Sequence, residues 1–384
     1  MSRRLAVLAL FAVLLPGLPG AAAAQNRYIA FGDSITEGFG DTKGLGGYPA
    51  RLQTLLAARG QVGAVVINAG LGGETTAGGL TRINRVLASA ATGDTLLLME
   101  GTNDVNAKIS PETTAFNLEQ IAQKAANVGV STVLATPIPR EPAANTDGNN
   151  EVTGILAGLI REDAFVHGRR LADPFEVFLH LTPDVFNQDY LGGEDKLHPN
   201  AKGYDRLARV FADALTGVDA VPPVTGDIQP KDGALNVPAT TPIKIVLYDF
   251  GAGIDLATVK LVINGLDVDT PVTGNDRRLQ INYQPPAPLV GVVTVSLRAS
   301  DKAKPANVLD RPVTRFQITG TTFLPADLNR DGRVDGQDLV ILALAFGARR
   351  FNDNFNLAAD FNGDGSVDGL DLAVLAASFG KSTF

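Results

Sequence analysis

The 384-residue chain contains no cysteine. Disulfides, lipidated cysteine and thiol chemistry are therefore excluded, and stability has to come from packing or bound metal. Histidine is scarce, with three residues in all, so imidazole-based chemistry has few candidates. Basic residues are not in excess. A formal net charge of -8 leaves no basic footprint, and no nucleic-acid partner is expected. The apolar run Leu5 to Leu15 is shorter than the roughly 20 residues a spanning helix needs, so no transmembrane anchor is expected.

An apolar fraction of 45% with 19% charged residues is that of a folded chain. The length exceeds what one core usually serves and points to two or three domains. Arg3 and Arg4, the apolar run, a Pro/Gly break and then AAAAQ read as a secretory signal, residues 1–24, cleaved after Ala24. The expected product is secreted and begins at Gln25.

From 25 to 217, short apolar runs (RYIAF, GAVVINAG, DTLLLMEG, VSTVLATPIP) alternate with helical stretches such as YPARLQTLLAARG. This is the rhythm of an α/β domain, a parallel sheet covered by helices. Several of the runs end in Gly or Asn clusters, which places those clusters at the carboxyl edge of the sheet, where open α/β sheets carry their sites. Residues 218–226 lose periodicity and hold paired prolines, and read as a linker. Residues 227–320 contain IKIVLY, VKLVING, RLQINYQ, GVVTVSLRA and TRFQITG between turn residues, the pattern of a β-sandwich. Residues 321–384 form the last unit, in which DLNRDGRVDGQDLVILALAFG returns as DFNGDGSVDGLDLAVLAASFG.

A serine hydroxyl is a poor nucleophile until a base takes its proton, so Ser34 in FGDSITEGFG matters only if a histidine, an orienting group and an oxyanion site accompany it. His198 in EDKLHPN is the natural base, since His167 and His180 stand in unremarkable contexts and read as structural. Asp195, three residues before it, can fix its tautomer. Gly73 in INAGLGGET can bring a backbone N–H close to a substrate oxygen, and the Asn103 amide in MEGTNDV can reach the same point. Asp33 and Asp104 read as turn-shaping residues.

These blocks, GDSIT, NAGLGGET, GTND and DKLHPN in that order, resemble the GDSL or SGNH hydrolases. The resemblance implies a three-layer flavodoxin-like sheet, nucleophile Ser34, base His198, acid Asp195, and an oxyanion hole made by the Ser34 N–H, the Gly73 N–H and the Asn103 side chain. Ile35 stands where the family name has Leu, and Gly72 competes with Gly73 as donor. It also implies an ester substrate and no cofactor for catalysis. The second and third blocks resemble the branch that cleaves short-chain or lysophospholipid acyl esters, which is the expectation here. The alternative is a carbohydrate esterase, such as an acetylxylan esterase of a cellulosome-like assembly. The phrase IQPKDGALNVPATTPIKI resembles the opening of bacterial immunoglobulin-like modules.

In the last unit, Asp327, Asn329, Asp331, Asp335 and Asp338 occupy positions 1, 3, 5, 9 and 12 of a twelve-residue loop, with Gly332 at the bend and Arg333 offering its carbonyl. Asp360, Asn362, Asp364, Ser366, Asp368 and Asp371 repeat the pattern around Gly365. This is EF-hand spacing, and two structural calcium sites are expected. Position 12 is Asp rather than Glu and no clear helix precedes the first loop, which argues against a sensor. Paired loops each followed by one helix ending in Phe-Gly look like a type I dockerin, whose family role is calcium-dependent docking to a cohesin-bearing protein. The alternative is a calcium-stabilised stalk. Positions 10 and 11 differ between the repeats, Gly336 and Gln337 against Gly369 and Leu370, which argues against symmetric dual binding.

Overall fold

The computed structural model describes residues 26–141, 148–179, 196–318, 324, 326–329, 332–349, 354–356, 358–362 and 364–382. The signal segment, His180, Asp195 and Asp331 lie outside the described residues.

β1 (Arg27–Gly32), β2 (Val65–Gly70), β3 (Thr95–Met99), β4 (Ser131–Ala135) and β5 (Arg170–Ala172) make a parallel sheet in the order β2-β1-β3-β4-β5. That is the flavodoxin-like order. α1 (Ser34–Glu37), α2 (Gly47–Ala58), α3 (Thr76–Leu87), α4 (Thr102–Asn106), α5 (Pro111–Asn127), α6 (Asn149–Val166), α7 (Pro174–Leu179) and α8 (Ala201–Thr216) connect and cover it. Alternate side chains of the central strands feed two cores. Tyr28, Ala30, Leu97 and Met99 pack with Tyr48 and Leu52 of α2 and Tyr204 and Phe211 of α8. Ile29, Phe31, Leu96 and Leu98 pack with Ile83 of α3, Ile121 of α5 and Leu156 of α6. Being covered on both faces, β3 is apolar without a break from Leu96 to Met99.

The register sets the working edge. Gly32 pairs with Gly70 on one side and with Met99 on the other, so the loops after β1, β2 and β3 leave the sheet at one level. β1 stands between strands reached by crossovers in opposite directions, the switch point at which such sheets open a crevice. Backbones meet closely there. A Cβ on Gly32 would lie 2.2 Å from Met99 O, and one on Gly70 2.2 Å from Glu37 N.

β6 (Val224–Gln229), β7 (Ile243–Tyr248), β8 (Ile254–Ile263), β9 (Leu266–Val268), β10 (Val272–Gly274), β11 (Arg278–Tyr283), β12 (Val292–Asp301) and β13 (Val308–Gln317) form two antiparallel sheets, β10-β11-β7-β6 and β13-β12-β8-β9. Inward residues of both, among them Ile245, Leu247, Ile281, Leu261, Val295 and Leu297, make one core, which defines a β-sandwich. β6 begins at Val224, inside the stretch read from sequence as a linker. Val224 is buried with Val246 and Tyr248 against Phe165 of α6, so packing across the domain seam orders it.

α9 (Gly336–Ala345) and α10 (Gly369–Ser378) follow the two acidic loops. Each helix starts on a reciprocal capping box, Asp335 with Asp338 and Asp368 with Asp371. Val334, Leu342 and Ala345 pack with Val367 and Leu375, so each repeat supplies half of one small core. Among the described residues no helix is long and apolar enough to cross a membrane.

Candidate active site

β1 delivers Asp33 and Ser34 to the carboxyl edge of the sheet. Asp33 is buried and caps α1 by accepting from Ile35 N at 2.9 Å. Burial pushes its carboxyl up to about 6, although the Ile35 N–H, the Thr102 hydroxyl and His198 all pull it down. Ser34 is the first residue of α1 and half-buried. Its Oγ lies 2.7 Å from His198 Nε2. His198 comes from the distant end of the domain, two residues before Asn200, which caps α8 by accepting from Gly203 N at 3.0 Å. The two residues are 164 apart in sequence, and only the parallel fold brings them together.

A loop after α1 walls this pair. The Phe39 ring meets the imidazole edge-on at 4.6 Å, and its carbonyl accepts from Tyr204 OH at 2.6 Å. Gly40 passes close enough that a Cβ there would sit 3.1 Å from His198 Cβ. Asp41 holds the loop by accepting from the N–H groups of Lys43, Leu45 and Gly47 and taking a bidentate pair from Arg51 at 2.6 and 2.8 Å. Arg51 also reaches Asp205 of α8 at 2.8 Å. Burial works to raise Asp41, but Arg51 and the backbone donors together outweigh it and hold the carboxylate at about 2.

The second and third blocks meet beside Ser34. A turn from Leu71 to Glu74, closed by Glu74 N to Leu71 O at 3.2 Å, carries Gly72 and Gly73. Gly73 has φ +75°, where a side chain is strained whatever the space. A Cβ on Gly72 would lie 3.8 Å from Ser34 Cβ and 2.8 Å from Glu37 Oε2, so the turn passes directly over the serine. Asn103 Nδ2 donates to Glu74 O at 2.8 Å, which fixes the amide against the same turn. Asp104, fully buried, accepts from Thr76 N at 2.8 Å and Thr76 Oγ1 at 2.5 Å. More than a strand-end turn residue, it clamps the start of α3 to α4.

Below the turn, Glu74 is gripped by Arg82 Nε at 2.8 and 2.9 Å, and the Arg82 guanidinium stands 4.1 Å from the centre of the Phe31 ring. Glu100 is buried beside them; burial, with Glu74 nearby, raises its carboxyl well above the ordinary range. Among the described residues its oxygens meet no hydrogen-bonding side chain other than the neighbouring Glu74 carboxyl. His167 lies at the C-terminus of α6, partly exposed and paired with Asp163 at 2.8 Å, remote in sequence and contacts from Ser34. Of the residues named from sequence, the structure thus sets Ser34 against His198 and passes the Gly72–Gly73 turn, whose end Asn103 holds through Glu74 O, beside the serine. The Arg51–Asp41 and Arg82–Glu74 pairs, Tyr204 and Thr76 were not found by sequence reasoning. Their partners are set by tertiary packing, and no local motif announces them.

In the C-terminal unit, Asp327 Oδ2 accepts from Gly332 N at 2.9 Å and Asp360 Oδ2 from Gly365 N at 3.0 Å. Asp338 and Asp371 are buried and accept from Leu328 N at 2.6 Å and Phe361 N at 2.7 Å. Gly332 and Gly365 take φ +82° and +84° at the bends. The loops present an oxygen-rich donor set of matched geometry, which fits a hard cation such as calcium.

Residues 30–206 match the profile of the GDSL-like lipase/acylhydrolase family, and residues 325–379 match the type I dockerin domain, a calcium-binding module. An acetylxylan esterase of Xylanibacter ruminicola is 27% identical over 228 residues, 52% of this chain and 45% of that protein. The chain therefore spans under half the length of this curated relative. Among solved structures, a lipase/acylhydrolase from Enterococcus faecalis is 25% identical, covering 50% of this chain and 96% of the other at a TM-score of 0.42. An acetylxylan esterase from Geobacillus stearothermophilus is 22% identical, covering 50% and 94% at a TM-score of 0.42. The profile matches identify the chain as one that carries a GDSL-like lipase/acylhydrolase domain at residues 30–206 and a type I dockerin domain at residues 325–379.

Proposed function

We propose that this chain is a secreted serine carboxylic-ester hydrolase that removes acetyl groups from polysaccharide. The observation that carries the chemistry is the 2.7 Å contact between Ser34 Oγ and His198 Nε2, within reach of proton transfer. In the proposed mechanism Ser34 Oγ attacks the ester carbonyl as His198 Nε2 takes its proton. Negative charge on the carbonyl oxygen is received by the Ser34 and Gly73 N–H groups and the Asn103 amide. Such preorganised donors contribute about 3 to 4 kcal/mol each to lowering the barrier. The protonated imidazole then gives its proton to the leaving alcohol, and an acyl-Ser34 ester remains. Water, deprotonated by His198, releases the acid. Asp195 is assigned the orienting role, holding the tautomer that leaves Nε2 free to accept.

The preference for polysaccharide acetate rests on the dockerin match and on the name of the Xylanibacter relative. A second reading, a short-chain or lysophospholipid acyl esterase, draws on exposed Phe39 and Leu71 on the loops flanking the serine, apolar surface that an acyl chain could cover. A panel of aryl esters from acetate to palmitate, acetylated xylan and lysophosphatidylcholine decides between them. Acetate preference with release of acetate from xylan is the expected result. Efficient cleavage of long chains or lysolipid instead would establish the second reading.

The C-terminal loops are assigned two calcium ions. Asp327, Asn329, Asp331, Arg333, Asp335 and Asp338 would hold one, and Asp360, Asn362, Asp364, Ser366, Asp368 and Asp371 the other. Val340, Leu344 and Leu370 on the following helices are 58%, 73% and 62% exposed, an apolar surface suited to a cohesin. Capture of a cohesin only in calcium tests this role.

A further inference from the structure

Outside the catalytic edge and the dockerin loops, three carboxylates converge where the hydrolase domain hands over to the sandwich. Asp219 belongs to the segment between α8 and β6, Asp249 to the β7–β8 loop, and Asp301 to the end of β12. One carboxylate oxygen from each lies within 4.8 Å of the other two. Asp249 and Asp301 are buried, at 4% and 2% exposure. Asp249 Oδ1 accepts from Gly251 N at 2.9 Å and Gly253 N at 2.7 Å, but its buried Oδ2 has no hydrogen-bond partner among the described residues. Asp219 Oδ2 accepts from Ala252 N at 2.5 Å, and Asp301 from Ala303 N, Asn307 N and Asn307 Nδ2 at 2.6 to 3.0 Å. Among the described residues the cation that meets Asp249 is Arg277, whose Nη1 stands 3.9 Å from Oδ1 and is half-exposed. One solvent-facing guanidinium does not balance three clustered carboxylates, and an unpaired buried charge is costly.

We infer that Asp219, Asp249 and Asp301 form a calcium site that fastens the exit of the hydrolase domain to the β-sandwich. The donors are all hard oxygens, with no histidine or cysteine among them, which is not the usual zinc set. Oxygens within 4.8 Å of one another can sit around a calcium ion at bond lengths of about 2.3 to 2.6 Å. A cavity of about 310 Å³ between the two domains is lined by Asp219, Phe250 and Gly251 and offers an approach for the ion.

The site is independent of the dockerin loops and is tested on the full chain. Hydrogen exchange is followed in chelator and in calcium, and read on peptides covering 217–222, 249–254 and 300–308. At calcium a hundred times the dissociation constant, opening that releases the ion falls about a hundredfold, so these peptides slow strongly. Asp301→Asn, which keeps an acceptor for the loop N–H groups, abolishes the slowing here but leaves calcium protection at 327–371 intact. Asp219→Asn, at a partly exposed position, serves the same purpose if the first variant does not fold. Protection confined to 327–371 in the unmodified chain overturns the site, as does seam protection that survives both substitutions. Loss of protection at 327–371 alone counts instead against the dockerin assignment.

Discussion

In the proposed chemistry Ser34 acts only through its neighbours, and those neighbours divide into two kinds. His198, Gly73 and Asn103 could be named as candidates from the sequence, because imidazole, an unhindered backbone N–H and a side-chain amide suit the roles of base and oxyanion donors. Asp41, Arg51, Glu74 and Arg82 were not, since nothing in a sequence says which arginine meets which carboxylate. Ser34→Ala and His198→Ala should each lower kcat/KM on an aryl acetate by several powers of ten with the fold unchanged; near-normal turnover by either would remove that residue from the proposed chemistry. Asp33 gives a second prediction. Its carboxyl titrates at about 6 in the folded protein against 3.8 ordinarily, so the folded state holds the proton longer. The stability this brings is complete below pH 3.8 and is lost as pH rises through about 6, on the order of 3 kcal/mol in all. Asp33→Asn has no such slope and should gain on the unmodified chain between those pH values. Urea unfolding at four pH values checks this, and parallel curves would refute it.

At the scale of elements, the four long strands of the parallel sheet stood out as apolar runs because both faces of β1 and β3 are covered. β5 did not, being only Arg170–Ala172, too short for any period to show. The start of β6 was hidden by the prolines before it, and only its packing against Phe165 orders it. The seating of the Leu71–Glu74 turn, the proposed oxyanion loop, was also out of reach, since it depends on Asp104 of α4 finding Thr76 of α3. Asp104→Ala removes both bonds from a fully buried site and strands the Thr76 donors, a loss of about 1 to 3 kcal/mol in stability. The same change frees the Gly73 turn to move relative to Asn103, so kcat on an aryl acetate should fall at least tenfold with KM little altered. A variant destabilised to this extent but with unchanged kcat would show that the clamp serves the fold alone.

Across the whole molecule, the three units are joined very differently. The dockerin core is small and its loops are dense in carboxylates, so chelator should melt residues 327–382. It should leave hydrolysis of a soluble aryl acetate intact, because Ser34 and His198 both belong to the parallel-sheet unit; activity lost with chelator would contradict this. The hydrolase and sandwich, by contrast, share buried charge. Glu176 of α7 is fully buried and accepts from Arg161 of α6 at 3.2 Å and from Arg311 of β13 at 2.7 Å. Arg161 also donates to Thr225 O of β6 at 2.6 Å. Glu176 and Arg311 lie 135 residues apart, in units that the sequence presents as separate, so this seam could not be read before the fold was known. Deleting one partner of a buried pair leaves the other charge stranded, at about 3 to 5 kcal/mol, and Arg161 can relieve only part of that. Arg311→Ala should therefore lower the stability of the hydrolase–sandwich unit by about 2 to 3 kcal/mol. Arg311→Ala with Glu176→Gln should cost less than the sum of the single changes, because a neutral amide in place of the carboxylate no longer needs the guanidinium. Denaturant unfolding at fixed calcium measures the cycle, and a coupling smaller than about 0.5 kcal/mol would mean that the two domains are held by their apolar contacts and not by this network.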